Sequence, residues 1–375
     1  MSGQEKHPAL EPVRIGGLQT ANRLAVAPMT RVSAEADGTP TADMADYYAE
    51  FARGGFGMVI TEGTYTDTAY SQGYLNQPGL VSERNVAAWQ KVTAGVHEAG
   101  ALIVAQLMHA GALSQGNAYR DDTAGPSAVQ PRGERMPEYG GHGPWPTPKE
   151  MTQEDIDTAI AGFAAAAAKA KDAGFDGVEV HGANGYLLDQ FLTDYTNQRT
   201  DSYGGPVAAR VKLTAQVVEA IRAEVGPEWC VGVRLSQTKV NDFKYRWPGG
   251  AHDAEVIFKV LTEAGASYLH IASEGRNWIE TARLDGGLTI TGLARRVSGL
   301  PVIANGGMHD AELSTQVIGD GHADLVSVGK AALVNPDLPR RLAEGRELEK
   351  FDHALLEPMV TLDNVRRRRV ALARA

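Results

Sequence analysis

A histidine, an asparagine and a tyrosine stand within six residues of one another, as His181, Asn184 and Tyr186, directly after a short apolar run at 177–180. The run has the pattern of a buried strand. If the chain turns helical from Gly182, His181 and Asn184 are three apart and face the same way. Two hydrogen-bond donors then converge on one point with a phenol close by. Such a set can grip a carbonyl oxygen and hand a proton to a neighbouring carbon. A lone tyrosine in a helix is usually core, so the reading depends on what the rest of the chain brings to the same place.

Apolar strand-like runs fall at 23–27, 57–62, 102–107, 177–181, 231–235, 268–272, 302–304 and 325–328. Helical patterns fall between them, at 44–53, 83–99, 153–173, 208–225, 253–264, 292–297 and 312–318. Eight strands alternating with helices predict an α/β chain folded as a (β/α)8 TIM barrel. A doubly wound sheet competes, but no early strand is followed by a glycine-rich dinucleotide fingerprint. Gly16-Gly17 after 13–15 predicts an N-terminal hairpin. Residues 109–150, after the third strand, are long and rich in Gly and Pro, which predicts a lid inserted in a single domain of 1–375. A shorter loop at 274–289 carries Arg276, Asn277 and Trp278, and the chain from 352 onward reads as a final helix.

Polar residues collect where these strands end. Pro28-Met29-Thr30 follows the first, Gln106 ends the third, His181 the fourth and Arg234 the fifth. Asn305-Gly306-Gly307 follows the seventh and Gly329-Lys330 the eighth. In a barrel all of them ring the C-terminal mouth, and the loops after the last two strands commonly hold a phosphate.

The run HGANGYLLDQFL at 181–192, followed by NQRTD at 197–201 and YGG at 203–205, resembles the signature of the old yellow enzyme family. The likeness covers nearly the whole chain. It implies a TIM-barrel, FMN-dependent oxidoreductase that takes hydride from NAD(P)H and reduces activated alkenes by a ping-pong route. Carried onto this sequence, it implies that Ala27, Pro28, Met29, Thr30, Gln106 and Arg234 contact the flavin ring. Gln106 offers both donor and acceptor to its uracil-like edge, and Arg234 faces its pyrimidine end. Asn305, Gly306, Gly307, Gly329 and Lys330 then hold the phosphate. His181 and Asn184 bind the substrate oxygen, Tyr186 is the proton donor, and Tyr74, Met108 and Trp278 line the pocket. No metal is implied.

The sequence also departs from the family pattern. Lys330 stands where Arg is usual, keeping a point charge but losing the bidentate fork. Asn184 stands where many members have His, Met108 where some have a bulky aromatic, and Thr30 where one branch has a cysteine.

Bulk composition narrows the alternatives. With 375 residues, 43% of them hydrophobic, the chain can bury a large core. A formal charge of −10 argues against a nucleic-acid surface. The one cysteine, Cys230, excludes an internal disulfide and an iron–sulfur cluster held by this chain. Relatives that oxidise amines or reduce dienoyl thioesters carry such a cluster, which argues against those reactions here. Residues 1–12 are polar, and no run of about 18 apolar residues exists. A cytoplasmic protein without a membrane partner is expected, a homodimer being the assembly it allows. Arg366 to Arg369 reads as a solvated basic helix end. The alternative function is a catalytically silent flavin- or ligand-binding barrel with a regulatory role, and the intact His181, Asn184 and Tyr186 set speaks against it.

Overall fold

The structure, a computed structural model, describes residues 7–273, 277–284 and 287–372. Eight strands form one closed parallel barrel: β1 (Leu24–Val26), β2 (Met58–Ile60), β3 (Leu102–Met108), β4 (Gly177–Asn184), β5 (Cys230–Lys239), β6 (Tyr268–Ala272), β7 (Val302–Asn305) and β8 (Leu325–Val328). Each pairs in parallel with its sequence neighbours, and β8 closes onto β1 with Val326 opposite Leu24. Strands of a parallel barrel are covered on both faces, so they read as continuous apolar runs. Every residue of β1, β2, β6 and β8 is buried.

Helices α1 (Ala42–Arg53), α2 (Glu83–Glu98), α3 (Gln153–Asp172), α4 (Lys212–Val225), α5 (Ala251–Glu263), α6 (Ile290–Ser298) and α7 (Ala311–Gly319) form the outer ring. The alanine stretch of α3 buries Ala159, Ala166, Ala167 and Ala170, as close packing of a small-residue face requires. None of the described helices is long and apolar enough to cross a membrane.

The predicted hairpin pairs Val13–Ile15 with Leu18–Thr20 across Gly16 and Gly17, which have φ of +53° and +84°. Two positive φ values at a two-residue turn select glycine. A Cβ on Gly16 would lie 2.6 Å from Cys230 Sγ. The hairpin therefore plugs the base of the barrel, where Ile15 joins Ala25, Met58, Val104, Tyr268 and Leu325 in a separate apolar cluster. Burial there pushes the Cys230 thiol up to about 12, so it is an inert packing group.

At the other end, residues 109–150 are ordered by 3-10 turns and a short strand pair, Ala124–Gly125 with Lys149–Glu150. Val360 N donates to Glu138 O at 3.1 Å, tying the C-terminal segment to this insertion. The chain after 352 is a 3-10 turn, His353–Leu356, followed by a helix, Leu362–Leu372, in place of the one helix expected. Its arginines are largely exposed, as expected of a solvated helix end, and pair with their own chain. Arg366 pairs with Asp43 at 2.9 Å, and Arg369 bonds Leu333 O and lies 3.7 Å from Glu50.

Candidate active site

Side chains alternate along a strand, so Glu179 and His181 on β4 share a face. The register aligns the neighbours: Gln106 lies opposite Glu179, Arg234 opposite His181, and His270 opposite Arg234. The carboxylate of Glu179, fully buried, accepts from Gln106 Nε2 at 2.8 Å, Tyr268 Oη at 3.0 Å and His270 Nδ1 at 2.8 Å. Burial alone would raise this carboxyl, but the facing His270, the Arg234 guanidinium and the Gln106 amide outweigh it and hold it below the usual carboxylate range. A carboxylate only accepts, so His270 carries its proton on Nδ1. Burial keeps that ring neutral, leaving Nε2 to accept from Ser327 Oγ at 2.8 Å. Ser327 Oγ in turn accepts from Asn305 Nδ2 at 3.0 Å. One hydrogen-bonded chain thus links Asn305, Ser327, His270, Glu179 and Gln106 across β7, β8, β6, β4 and β3.

The sequence reading missed Glu179, His270 and Ser327, each a polar residue inside an apolar run. The available signal was spacing, because Glu179 precedes His181 by two and must point the same way.

His181 is buried, and burial followed by the Arg234 charge push its imidazole down to about 3. It is a neutral donor at ordinary pH. The chain arrives at Asn184 by a route that corrects the expected helical turn. β4 stays paired as far as Asn184, and the helix that follows, Leu187–Leu192, starts only after Tyr186. The extension is held by β5, where Asn184 N donates to Ser236 Oγ at 2.8 Å and Val240 N donates to Asn184 O at 3.1 Å. Asn184 then takes φ of +64°, rare outside glycine but tolerated best by asparagine, and Gly185 follows at +90°.

The reversal brings Tyr186 back beside His181, with ring centroids 5.1 Å apart. The hydroxyls of Tyr186 and Tyr74 hydrogen-bond to each other. Met108, Trp145 and Val32 share the apolar cluster around these two phenols, and Tyr139 of the insertion packs on Tyr74 at 5.0 Å. Trp278 does not join this group. It is buried in the main core, its backbone N–H on Gly306 O at 3.0 Å and its ring 5.2 Å from His322. Arg276, from the same loop, lies outside the described residues.

The remaining candidates cluster at the β1, β7 and β8 ends. Ala27 N donates to Val328 O at 3.0 Å, and a Cβ on Gly329 would meet only Met29 Sδ and Ala27 Cβ at ordinary contact distances of 3.8 and 3.9 Å. Thr30, after Pro28 and Met29, leads into a bend in which Glu62 Oε2 accepts from Arg31 N at 2.8 Å and Val32 N at 3.2 Å. Val32 has φ of +41°, and Glu62 is raised to about 7 by burial. Gly306 and Gly307 have φ of +110° and +77°. Lys330 Nζ lies 3.3 Å from His353 Nε2.

The donor set fits a flavin. His181 Nδ1 and Asn184 Oδ1 are buried with no hydrogen-bond partner among the described residues, so the mouth keeps polar groups for a ligand. Gly329 has room for a Cβ and directly precedes Lys330. Among the described residues no group of three potential ligands could hold a metal.

The His181 environment yields a testable titration. An unfolded histidine takes up its proton near 6.5, whereas the folded one does so only near 3. Its contribution to stability is therefore complete above about pH 6.5 and is lost as pH falls toward 3. NMR of the imidazole should show no titration of His181 between about pH 5 and 9. A midpoint of 6 or higher would contradict the burial described.

Residues 9–349 match the NADH:flavin oxidoreductase / NADH oxidase family. The chain is 33% identical over 355 residues to 12-oxophytodienoate reductase 1 of Oryza sativa subsp. japonica, covering 92% of this chain and 89% of that one. It superposes on the old yellow enzyme homologue from Zymomonas mobilis with a TM-score of 0.83 and 31% identity, covering 95% and 99% of the two chains. Morphinone reductase in complex with tetrahydroNAD gives the same score and identity, covering 93% of each. These likenesses set aside the silent barrel. The chain belongs to the NADH:flavin oxidoreductase / NADH oxidase family, and it is an NAD(P)H-dependent flavin ene-reductase of the old yellow enzyme type.

Proposed function

We propose that this chain binds FMN and reduces the activated C=C bond of α,β-unsaturated ketones, aldehydes, imides or nitroalkenes by a ping-pong mechanism. The observation that carries the reading is a neutral buried imidazole beside a phenol at one end of the barrel, with His181 Nδ1 lacking a protein partner among the described residues and Asn184 ending the same strand. When bound, the flavin supplies the hydride chemistry, accepting from NAD(P)H and giving to the alkene. The protein's own work is in charge and proton placement. His181 and Asn184 donate to the substrate oxygen, where negative charge develops as the alkene is reduced. Tyr186 supplies the proton to the α carbon, and Tyr74, bonded to its hydroxyl, holds the phenol in place. Tyr139 and Trp145 of the insertion exclude water from this corner, the role we give to the predicted lid.

For the cofactor itself we assign Ala27, Pro28, Met29, Thr30, Gln106 and Arg234 to the ring. Asn305, Gly306, Gly307, Gly329 and Lys330 are assigned to the phosphate. Gln106 enters with its amide already turned by Glu179, and Met108 lines the substrate side. Support for enones in particular comes from the relatives, whose names are those of reductases of an oxo-dienoate and of morphinone.

The protein should be purified yellow, bleach with NADH or NADPH without oxygen, and recover its colour on adding cyclohexenone or maleimide. Colourless protein that takes up no FMN would end the proposal. Lys330→Ala removes one charge-assisted contact. Such contacts are worth roughly 1.5–3 kcal/mol, so the Kd for FMN should rise about 10- to 100-fold. Flavin fluorescence during titration of the stripped protein measures it, and an unchanged Kd would remove Lys330 from the phosphate site.

A further inference from the structure

The turn that presents Asn184 and Tyr186 rests on an ion pair in the protein interior. Asp189 and Lys239 have side chains 0% and 1% exposed, and Lys239 Nζ lies 2.5 Å from Asp189 Oδ1. The other carboxylate oxygen, Oδ2, accepts from Gly185 N at 2.7 Å. Lys239 lies opposite Asn184 in the β4–β5 ladder, past a bulge between Leu235 and Lys239. Asp189 belongs to the helix that begins after Tyr186. The pair therefore bridges the strand before the turn and the helix after it, with Asn184, Gly185 and Tyr186 strung between.

We propose that Asp189 and Lys239 are positioning residues for ene-reduction, holding Asn184 and Tyr186 at the angle the substrate oxygen and the α carbon require. This deepens the reading given above and rests on it. A buried ion pair is a poor way to stabilise a fold, because desolvation offsets most of the attraction and an apolar pair often does as well. What the pair does specifically is pin an otherwise unfavourable geometry. Asn184 sits in the left-handed region, and the Gly185 amide after it would be buried without a partner if the carboxylate left. The Gly185 carbonyl is held separately, by Gln190 Nε2 at 2.7 Å, so the turn is gripped on both sides. Lys239 is itself boxed in, with its Nζ 4.6 Å from the centroid of the Tyr245 ring. Asp242 and Asp194 also act on Lys239, but Asp189 is the carboxylate its Nζ bonds directly and the one that holds the Gly185 amide.

The test uses the flavin-loaded protein and three variants, Asp189→Leu, which keeps the volume but offers Gly185 N no acceptor, Lys239→Met and the two combined. Each is read by thermal melting and by the Kd for cyclohexanone, a saturated ketone that occupies the oxygen site without reacting, followed through the flavin absorbance. Each single variant leaves one charge buried alone, so both melt earlier and bind the ketone at least tenfold more weakly. The combined variant buries no charge and regains most of the melting temperature, yet binding stays weak because the turn is no longer pinned. A combined variant that binds cyclohexanone as tightly as the parent would overturn the proposal. Single variants that melt early with unchanged Kd would do the same. A combined variant that does not fold would show the pair to be structural, and so would also reject it. Failure of the ene-reductase reading is a separate result, since the parent protein would then give no response to cyclohexanone and no recolouring by cyclohexenone.

Discussion

Tyr186→Phe should keep its yellow colour and its rate of bleaching by NAD(P)H, and should lose about 10²- to 10⁴-fold in the rate at which cyclohexenone restores the colour. The reasoning starts from position. The phenol ring lies beside His181, 5.1 Å between centroids, and it is 6% exposed. Removing one oxygen atom leaves the ring, its packing against Met108 and Trp145, and the start of the following helix unchanged. The loss therefore falls on proton delivery and little else. Tyr74 makes the experiment sharper. Its hydroxyl bonds to that of Tyr186 and it is 1% exposed, so the two phenols are expected to act as one unit. Tyr74→Phe alone should slow recolouring modestly, by loosening the orientation of Tyr186. The combined Tyr74→Phe, Tyr186→Phe protein should be no slower than Tyr186→Phe, because residues acting as one unit are not additive. Stopped-flow measurement of both half-reactions decides the matter. Equal losses in bleaching and recolouring would contradict the proton-donor role, and multiplicative losses would make Tyr74 an independent donor.

How much of this could be read without coordinates follows the physics of each element. The eight strands were legible because a parallel strand is covered on both faces and leaves a short apolar run between glycine-capped helices. Their ends were less so. β5 runs on to Lys239 through Ser236, Gln237 and Thr238, which look like a polar turn but are all buried. Ser236 Oγ accepts from Asn184 N on the neighbouring strand and Gln237 Oε1 from Trp247 N, uses that local composition does not reveal. The same partners defeat the expected helical turn at Gly182, since Ser236 and Val240 draw Asn184 into the ladder. His181, Asn184 and Tyr186 stood out because they are close in sequence. Glu179 and His270 did not, because their meaning lies in contacts between strands about 90 residues apart. Asp189 and Lys239, 50 residues apart, were hidden for the same reason. Charged residues within apolar runs were the one visible warning, because burying them alone costs too much to be incidental.

The second large effect is expected at Arg234, which is 4% exposed and lies in register between His181 and His270. Arg234→Met fills similar volume without the charge. It leaves the Glu179 carboxylate, fully buried, with only neutral donors from Gln106, Tyr268 and His270. An uncompensated buried charge of this kind costs about 3–5 kcal/mol. Chemical unfolding of flavin-stripped protein should show that loss at pH 7, and it should shrink on acidification as Glu179 becomes able to take up a proton. The sign follows from the shift. With Arg234 present the carboxyl is held below its usual range, so its stabilising contribution is present above the unfolded value and lost as pH falls. Without Arg234 the carboxyl titrates higher, and the folded state gains by protonating. Adding Glu179→Gln to Arg234→Met removes the stranded charge and should restore most of the stability. It should not restore FMN affinity if Arg234 is, as proposed, the cation facing the flavin. Recovery of both stability and FMN binding in the double variant would reduce Arg234 to a structural counter-ion for Glu179. Recovery of neither would mean that Glu179 supports the barrel mouth through the Gln106 and His270 hydrogen bonds themselves rather than through its charge.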